Sequence, residues 1–344
     1  MAAPLSTRME VFLGHDDAMN IRDLICLLSD GHYHSGEQLG ERLGVSRTAV
    51  WKQLKKLEAL GIPLEAVRGR GYCIAAPLEL LDGAAVVADL PHAARQRLAR
   101  LFVEASLAST NTFLLDRFAS GAGHGEVCIA EMQTAGRGRR GRAWVSAWGR
   151  TLPFSLGWRF DLKAARLEGL SLAVGVVVAE LLAARGVEVK LKWPNDLLLV
   201  RDGVAHKLGG ILIEVRGDVE GPCQVVIGIG LNVSLPQQIR TMLDQPVAAI
   251  HDVAPDVSRN ELSAALIESL VDMLPRFEQN GFSEWRERWN ARHFHAGKAV
   301  RVIQGNSSFE AVAESVDDSG NLCVTTEGGG QLLAGGEITL RGCS

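Results

Sequence analysis

No two of the six cysteines (Cys26, Cys73, Cys128, Cys223, Cys323 and Cys343) stand in C-x-x-C spacing. Their scatter argues against a disulfide framework or a structural zinc site and fits a reducing cytoplasm. No His/Cys cluster has metal-ligand spacing, so no metal-ligating residue is nominated. The opening stretch MAAPLSTRMEVFLGHDDAMN has no apolar signal core, which predicts no secretion. The best apolar run, GLSLAVGVVVAELLAA, is interrupted by Glu180 and too short to span a bilayer. No membrane partner is expected. A G-x-x-x-x-G-K-[ST] P-loop is missing, as are a Rossmann G-x-G-x-x-G at a strand-to-helix junction and a G-x-S-x-G elbow. An excess of positive charge is missing too. Thirty-six Lys and Arg face forty Asp and Glu, a net charge of −4, so binding to nucleic acid must come from a local patch.

The 344 residues, 47% apolar and 22% charged, suit a globular chain of two or three domains. Residues 1–18 show no periodicity and are expected to be a flexible extension. Residues 19–77 read as a winged helix-turn-helix domain. NIRDLICLLSDG spaces Ile21, Leu24, Ile25 and Leu28 as one helical face and stops at Gly31. SGEQLGERLGV opens with Ser35 and has Gln38 three positions on, a capping box. SRTAVWKQLKKLEALG puts Val50, Leu54 and Leu57 on one face. PLEAVRGRGYCIA then reads as a hairpin tipped with Arg68 and Arg70. Over residues 46–71, Arg47, Lys52, Lys55, Lys56, Arg68 and Arg70 outweigh Glu58 and Glu65, a net of +4. Ser46, Arg47, Thr48, Trp51, Lys52, Lys55, Arg68 and Arg70 are the nominated DNA contacts. The competing reading is a solvated amphipathic helix, which helix-turn-helix plus basic wing in this order disfavours.

A linker, AAPLELLDG, spans 75–83. Beyond it, 84–295 is expected to be the catalytic domain, with strands near 126–132, 151–159, 189–193, 196–200, 208–216 and 224–233. Helices are expected at 111–119, 163–185, 259–280 and 282–293. Strands that follow one another without a helix between them predict an α+β fold with a largely antiparallel sheet. Residues 296–344 carry short strands parted by Gly and Asp turns and read as a small β-barrel.

TAGRGRRGRAW (134–144) sets Arg137, Arg139, Arg140 and Arg142 among three glycines. Four guanidinium groups are too costly to bury unpaired, and the glycines oppose a helix. A flexible cationic loop results, fit to hold phosphate bidentately and close over it; an exposed RG-type nucleic-acid loop is the alternative. KWPND (192–196) ends beside a Pro-restricted turn, and KLGGILIE (207–214) places Lys207 before two glycines that let a ligand approach the strand. GIGLNV (228–233) repeats that device and carries Asn232.

The ordered set STN (109–111), QTAGRGRRGRAW, KWPND, KLGGILIE and GIGLNV resembles the bifunctional biotin–protein ligases that double as biotin-operon repressors. HSGEQLGERLGVSRTAVWKQL resembles their DNA-binding domain, and the likeness covers about residues 20–342. It implies three domains: a winged helix, a central domain akin to class II aminoacyl-tRNA synthetases and lipoate ligases, and an SH3-like C-terminal barrel. It also implies formation of biotinyl-5′-AMP from biotin and Mg2+-ATP, then transfer to a lysine of the biotin carboxyl carrier protein of acetyl-CoA carboxylase. Operator DNA and a homodimer formed with biotinyl-AMP are the further partners it implies.

Carried over by position, Ser109, Thr110, Asn111, Gln133, Arg137, Arg139 and Gly209 match biotin-side positions. Arg140, Arg142, Trp144, Lys192, Asn195, Asp196, Lys207 and Asn232 match adenylate-side positions, with Lys207 and Arg139 as catalytic cations. A lipoate–protein ligase is the enzyme rival, disfavoured by the basic helix-turn-helix. A ligand-sensing repressor without catalysis is the rival from another class, disfavoured by Lys207 and the complete arginine loop.

Overall fold

The structure, a computed structural model, describes residues 10–13, 18–62, 64–74, 78–161, 164–217, 221–304, 307–335 and 338–342. The chain opens with strand β1 (Glu10–Leu13), followed by helices α1 (Ala18–Leu28), α2 (Gly36–Leu43) and α3 (Arg47–Ala59). Strands β2 (Leu64–Val67) and β3 (Gly71–Ile74) pair as an antiparallel hairpin, the wing. The capping box is made on both sides: Gln38 N–H donates to Ser35 Oγ at 3.1 Å and Ser35 N–H to Gln38 Oε1 at 2.8 Å. Such a cap stabilises a short helix by about 1 kcal/mol. Val50, Leu54 and Leu57 turn inward onto Leu24, Ile25, Leu28 and Leu39, as their spacing predicts.

The central domain holds α4 (Gly83–Asp89), α5 (His92–Gln96), β4 (Arg100–Glu104), α6 (Thr110–Ala119), β5 (Glu126–Ala130) and β6 (Thr151–Phe160). There follow α7 (Leu170–Ala183), β7 (Lys190–Lys192), β8 (Asp196–Arg201), β9 (Val204–Arg216), β10 (Cys223–Asn232), α8 (Gln237–Thr241), α9 (Arg259–Asn280) and α10 (Ser283–Asn290). One sheet runs β1-β4-β5-β6-β10-β9-β8-β7. It is antiparallel except where β1 meets β4 and β4 meets β5. The expected α+β architecture is therefore observed.

Two expectations need correction. Residues 10–13, assigned to a flexible extension, add an edge strand to this sheet, in parallel register with Arg100–Val103; residues 1–9 and 14–17 lie outside the described ones. The helix expected over 163–185 is continuous only from Leu170, with a separate 3-10 turn at Ala164–Leu167. α4, α5 and β4 were not anticipated; each is a piece of seven residues or fewer, too short for periodicity to declare.

The last five strands, β11 (Lys298–Gln304), β12 (Ser307–Val316), β13 (Leu322–Thr326), β14 (Gly329–Leu333) and β15 (Ile338–Gly342), form an antiparallel sheet ordered β14-β13-β12-β11-β15. Val300, Val302, Leu322 and Val324 share one core with Phe277, Trp285 and Trp289 of the central domain. A domain this small gains by extending a neighbour's core. The 75–83 linker is likewise no free tether. Leu78 and Leu81 are buried, and Trp148 of the central domain sits inside the winged-helix core. No helix among the described residues is long and apolar enough to cross a membrane, and their five cysteines are free.

His293 and His295 are both buried near the C-terminal sheet, His293 with Nδ1 2.9 Å from the Glu314 carbonyl. Burial pushes each imidazole from 6.5 down to about 4. The unfolded chain binds protons between those values that the folded chain refuses. Stability is therefore full above pH 6.5 and lost as pH falls toward 4, by up to about 1.4 kcal/mol per pH unit for each ring. Thermal melts from pH 7.5 to 4.5 are expected to show this slope, and the double variant His293→Gln/His295→Gln to flatten it.

Candidate functional site

Strand alternation puts Gly228, Gly230 and Asn232 of β10 on one face, beneath the start of α6 and the arginine segment. Ser109 caps α6, its Oγ accepting from Thr112 N–H at 3.4 Å. Thr110 and Asn111 follow, both buried. Thr110 donates its N–H and its hydroxyl to Gln133 Oε1, at 2.8 and 3.0 Å. Asn111 Nδ2 donates to Glu214 Oε2 at 2.8 Å and to the Leu212 carbonyl at 3.3 Å. Ser155 has one proton for two acceptors, Thr110 Oγ1 at 2.7 Å and Asn111 Oδ1 at 2.6 Å. The Thr110 hydroxyl can turn its own proton toward Gln133 or toward Ser155, so the group can offer either a donor or an acceptor. A side-chain carbon at Gly228 would lie 2.2 Å from Asn111 Oδ1, so glycine here is what admits the asparagine.

Lys207 reaches the same cavity through an irregularity. The β8–β9 register shifts between Leu197 and Leu198, pairing Leu197 with Gly209 but Leu198 with Lys207. Leu208 is thereby the extra residue of a bulge, and a bulge re-aims its neighbours. Lys207 consequently faces the same side as Gly210, not Gly209. A carbon added at Gly210 would point toward Lys207 and Asp196, at 3.7–3.8 Å, whereas one at Gly209 would strike Leu231, Leu197 and the Gly230 carbonyl. Gly210 lines the cavity, and Gly209, the position carried over from the resemblance, is not among its lining residues.

Lys207 Nζ sits 2.7 Å from Asp196 Oδ1, and Lys192 Nζ lies 3.9 Å from Asp196 Oδ2. Asn195 is a staple: its Nδ2 donates to the Ile211 carbonyl at 2.8 Å. Asn232 Nδ2 donates to the carbonyls of Lys207 and Ala248 at 3.2 and 3.1 Å. Its amide holds the backbone of Lys207 in place.

The arginine segment, expected to be a flexible loop, is described as a narrow hairpin over this cavity. Gly138 N–H donates to the Arg142 carbonyl at 2.7 Å and Trp144 N–H to the Gly136 carbonyl at 2.8 Å. Arg137 donates to Thr112 Oγ1 at 2.9 Å and to Glu214 Oε1 at 3.2 Å. Arg139 crosses to the Gly335 carbonyl beside the C-terminal sheet. Burial first, then Arg140 and Arg142, push the Arg139 guanidinium below its ordinary pKa, while Asp196 opposes them. Trp144 lies against Gly230, with Lys207 Nζ 5.9 Å from its ring centroid. Its indole Nε1 is buried with no acceptor among the described residues.

Six cations (Arg137, Arg139, Arg140, Arg142, Lys192 and Lys207) and one carboxylate, Asp196, line the cavity. An anion is the ligand that balances them. A resident magnesium ion fits poorly: Asp196 is already shared by two ammonium groups, and no cluster of three acidic, His or Cys groups occurs among the described residues. Thr112, Ser155 and Glu214 escaped nomination. Glu214 could have been found, since it shares a β9 face with Gly210 and Leu212; a lone Ser155 in an apolar strand gives no signal.

On the winged domain, Ser46, Arg47, Thr48, Trp51, Lys52, Lys55, Arg68 and Arg70 are all exposed, Trp51 at 54%. Ser46 Oγ caps α3, accepting from Ala49 N–H at 3.2 Å. Lys55 pairs with Glu58 at 2.6 Å, and Arg70 stacks 4.4 Å over the Tyr33 ring. Such surface pairs are worth about 0–1 kcal/mol and can be exchanged for phosphate.

Comparison with known proteins agrees with this division. The biotin/lipoate A/B protein ligase family matches residues 103–232, an HTH domain 21–73, and the biotin protein ligase C-terminal domain 295–341. The bifunctional ligase/repressor BirA of Salmonella typhimurium is 38% identical over 92% of this chain and 96% of its own. The biotin–[acetyl-CoA-carboxylase] ligase of Mycobacterium tuberculosis is 37% identical over 70% of this chain and 88% of its own. Among solved structures, the biotin protein ligase from Aquifex aeolicus in complex with biotin and ATP superposes with a TM-score of 0.59. It has 25% identity and covers 71% of this chain and 99% of that one.

The two glycine environments make a direct test. Gly228→Ala is expected to cost about 1–3 kcal/mol of stability through overpacking, and Gly210→Ala less than about 0.5 kcal/mol. Urea titrations of both variants measure the difference.

Proposed function

We infer that this chain, which belongs to the family of bifunctional biotin–protein ligases and biotin-operon repressors, activates biotin with ATP and delivers it to a carrier lysine. One observation carries the assignment of roles: one cavity combines two kinds of group. A neutral donor–acceptor set (Ser109, Thr110, Asn111, Gln133) shares its lining with six cations, of which Lys192 and Lys207 flank Asp196 and Arg137 stands next to Asn111 through their common partner Glu214. A ureido ring needs both donors and acceptors; a carboxylate and a phosphate need cations.

In the first step a biotin carboxylate oxygen forms a bond to the α-phosphorus, and the bond to pyrophosphate breaks. In the second, the carrier lysine's amine attacks the acyl carbon, AMP leaves, and the amine's proton is lost. Neither step needs an enzyme nucleophile. Both need charge stabilised in place. Lys207, fixed by Asp196 and by the Asn232 clamp on its backbone, supplies an ammonium on the sheet side. Arg139 supplies a guanidinium from the hairpin side. Trp144, with its unpartnered indole N–H, offers a flat surface and a donor for the nucleotide. Magnesium belongs to the nucleotide substrate, its phosphates supplying the ligands.

The carrier is the biotin carboxyl carrier protein of acetyl-CoA carboxylase, and the compartment is the cytoplasm. The exposed basic face of α3 and the wing reads operator DNA, with biotinyl-AMP as corepressor. The adenylate favours a homodimer, since two recognition helices on a two-fold axis match a palindromic site. Lys207 together with the complete arginine hairpin supports catalysis over mere ligand sensing.

Lys207→Ala is expected to slow adenylate formation by about 10²–10³-fold while weakening biotin binding far less; single-turnover assays with labelled ATP, set beside calorimetric biotin titrations, separate the two. In sedimentation runs, biotinyl-AMP is expected to shift the chain toward dimer. An unchanged monomer–dimer constant would remove the proposed regulation and leave the ligase reading intact.

A further inference from the structure

The hairpin that carries the four arginines has two feet, Glu131–Met132 at its start and Trp148–Thr151 at its end. They are joined by a backbone bond from Gly149 N–H to the Glu131 carbonyl at 3.1 Å. Both feet are also held by side chains that no catalytic role uses. Glu131 is fully buried and Arg259, from the first turn of α9, is 2% exposed; they pair at 2.6 Å. Arg259 donates as well to the Thr151 carbonyl, at 3.2 Å, so one guanidinium grips both feet.

The same two groups hold the linker to the winged domain. Glu131 Oε1 accepts the Leu81 N–H at 2.7 Å, and Arg259 donates to the Glu79 carbonyl. Arg22, on α1, donates to the Leu81 carbonyl. Met132 and Trp148, one on each foot, pack into the winged-helix core. The pair thus sits where the hairpin base, the linker and the winged domain meet.

We propose that Glu131 and Arg259 are positioning residues for adenylate retention: their buried pair sets the spacing of the hairpin's feet, and so the closure of the arginines over the bound adenylate. This rests on the reading that the hairpin covers biotinyl-AMP. The physical argument is leverage. Gln133 lies two residues beyond Glu131, and Trp144 and Arg142 lie a few residues before the second foot. A change in foot spacing is passed to both walls of the cavity. Lys207, on β9, stands outside the hairpin and is moved least. The pair therefore acts on how long the adenylate stays more than on how fast it forms.

Glu131→Gln makes the test in the full-length chain. A glutamine can offer its one oxygen either to Leu81 N–H or to Arg259; its amide group opposes whichever donor remains. Arg259→Lys keeps the charge but cannot reach three acceptors with one ammonium. In both variants biotinyl-AMP, loaded and then chased, is expected to dissociate about tenfold faster or more, while single-turnover adenylation at saturating biotin and ATP falls less than about threefold. A dissociation rate within about twofold of the wild-type value, in either variant that folds, would reduce the pair to a structural staple and overturn the proposal.

A second measurement needs no variant. Hydrogen exchange on the wild-type chain, with and without biotinyl-AMP, follows the amides of Gly138 and Trp144 in the hairpin, Gly149 at its foot and Leu81 in the linker. Added protection at all four is expected. Protection of Gly138 and Trp144 without Gly149 and Leu81 would overturn the clamp alone. No protection at Gly138 and Trp144 would overturn the hairpin's role as a cover, and this inference with it.

Discussion

A carboxylate and a guanidinium sealed from water, Glu131 and Arg259, join parts of the chain that are distant in sequence. Removing two charges from water costs several kcal/mol per ion, and a pair returns that only when its remaining donors and acceptors are filled. Leu81 N–H serves the carboxylate, and the carbonyls of Glu79 and Thr151 serve the guanidinium. Glu79 in turn accepts the Arg259 N–H and the Asn260 side-chain amide at the start of α9. Against burial, which raises it, hydrogen bonds from Ser258, the Arg259 N–H and Asn260 hold the Glu79 carboxyl below its ordinary pKa. The linker, the hairpin feet, β6 and α9 are therefore fixed relative to one another by one node. Losing a single member leaves an uncompensated buried charge, a loss on the order of 3–5 kcal/mol.

Around that node the domains are less separate than their sequence boundaries suggest. The winged-helix core is completed by Trp148 from the central domain, and the C-terminal sheet shares the central core through Val300, Val302 and Leu322. Trp193, in the turn that carries Asn195 and Asp196, donates its indole N–H to the Gly320 carbonyl at 3.0 Å. Arg139 reaches the Gly335 carbonyl from the other side. The cavity is thus bounded by contributions that three domains keep in register, which suits chemistry by placement and charge.

The charge distribution follows the same logic. A chain of net charge −4 concentrates six cations around one carboxylate in its cavity and a second basic group on α3 and the wing. Local fields of this kind select anions that the average charge of the molecule would repel. Asp196 keeps Lys207 in place in the cavity, and Glu214, outside its lining, does the same for Arg137.

Much of this was legible in the sequence, for physical reasons that can be named. Helical spacing placed Val50, Leu54 and Leu57 inward, and the Ser35–Gln38 signature marked a helix start, because caps and amphipathic faces are local. Strand spans from 126 to 233 were close to those observed, since alternation and glycine punctuation act over a few residues. The motifs around Ser109, Gln133, Lys207 and Asn232 do come together on one cavity. What the tertiary structure alone decided is of another kind. The bulge at Leu208, which turns Lys207 onto the face of Gly210, depends on pairing with β8 and leaves no trace in β9 itself. Residues 10–13 become an edge strand only because β4 offers an unpaired edge. Glu131 and Arg259 are 128 positions apart, and each alone reads as an ordinary charged residue. Local geometry is written in neighbouring residues; a buried pair, a bulge register and a shared core exist only once distant segments have met.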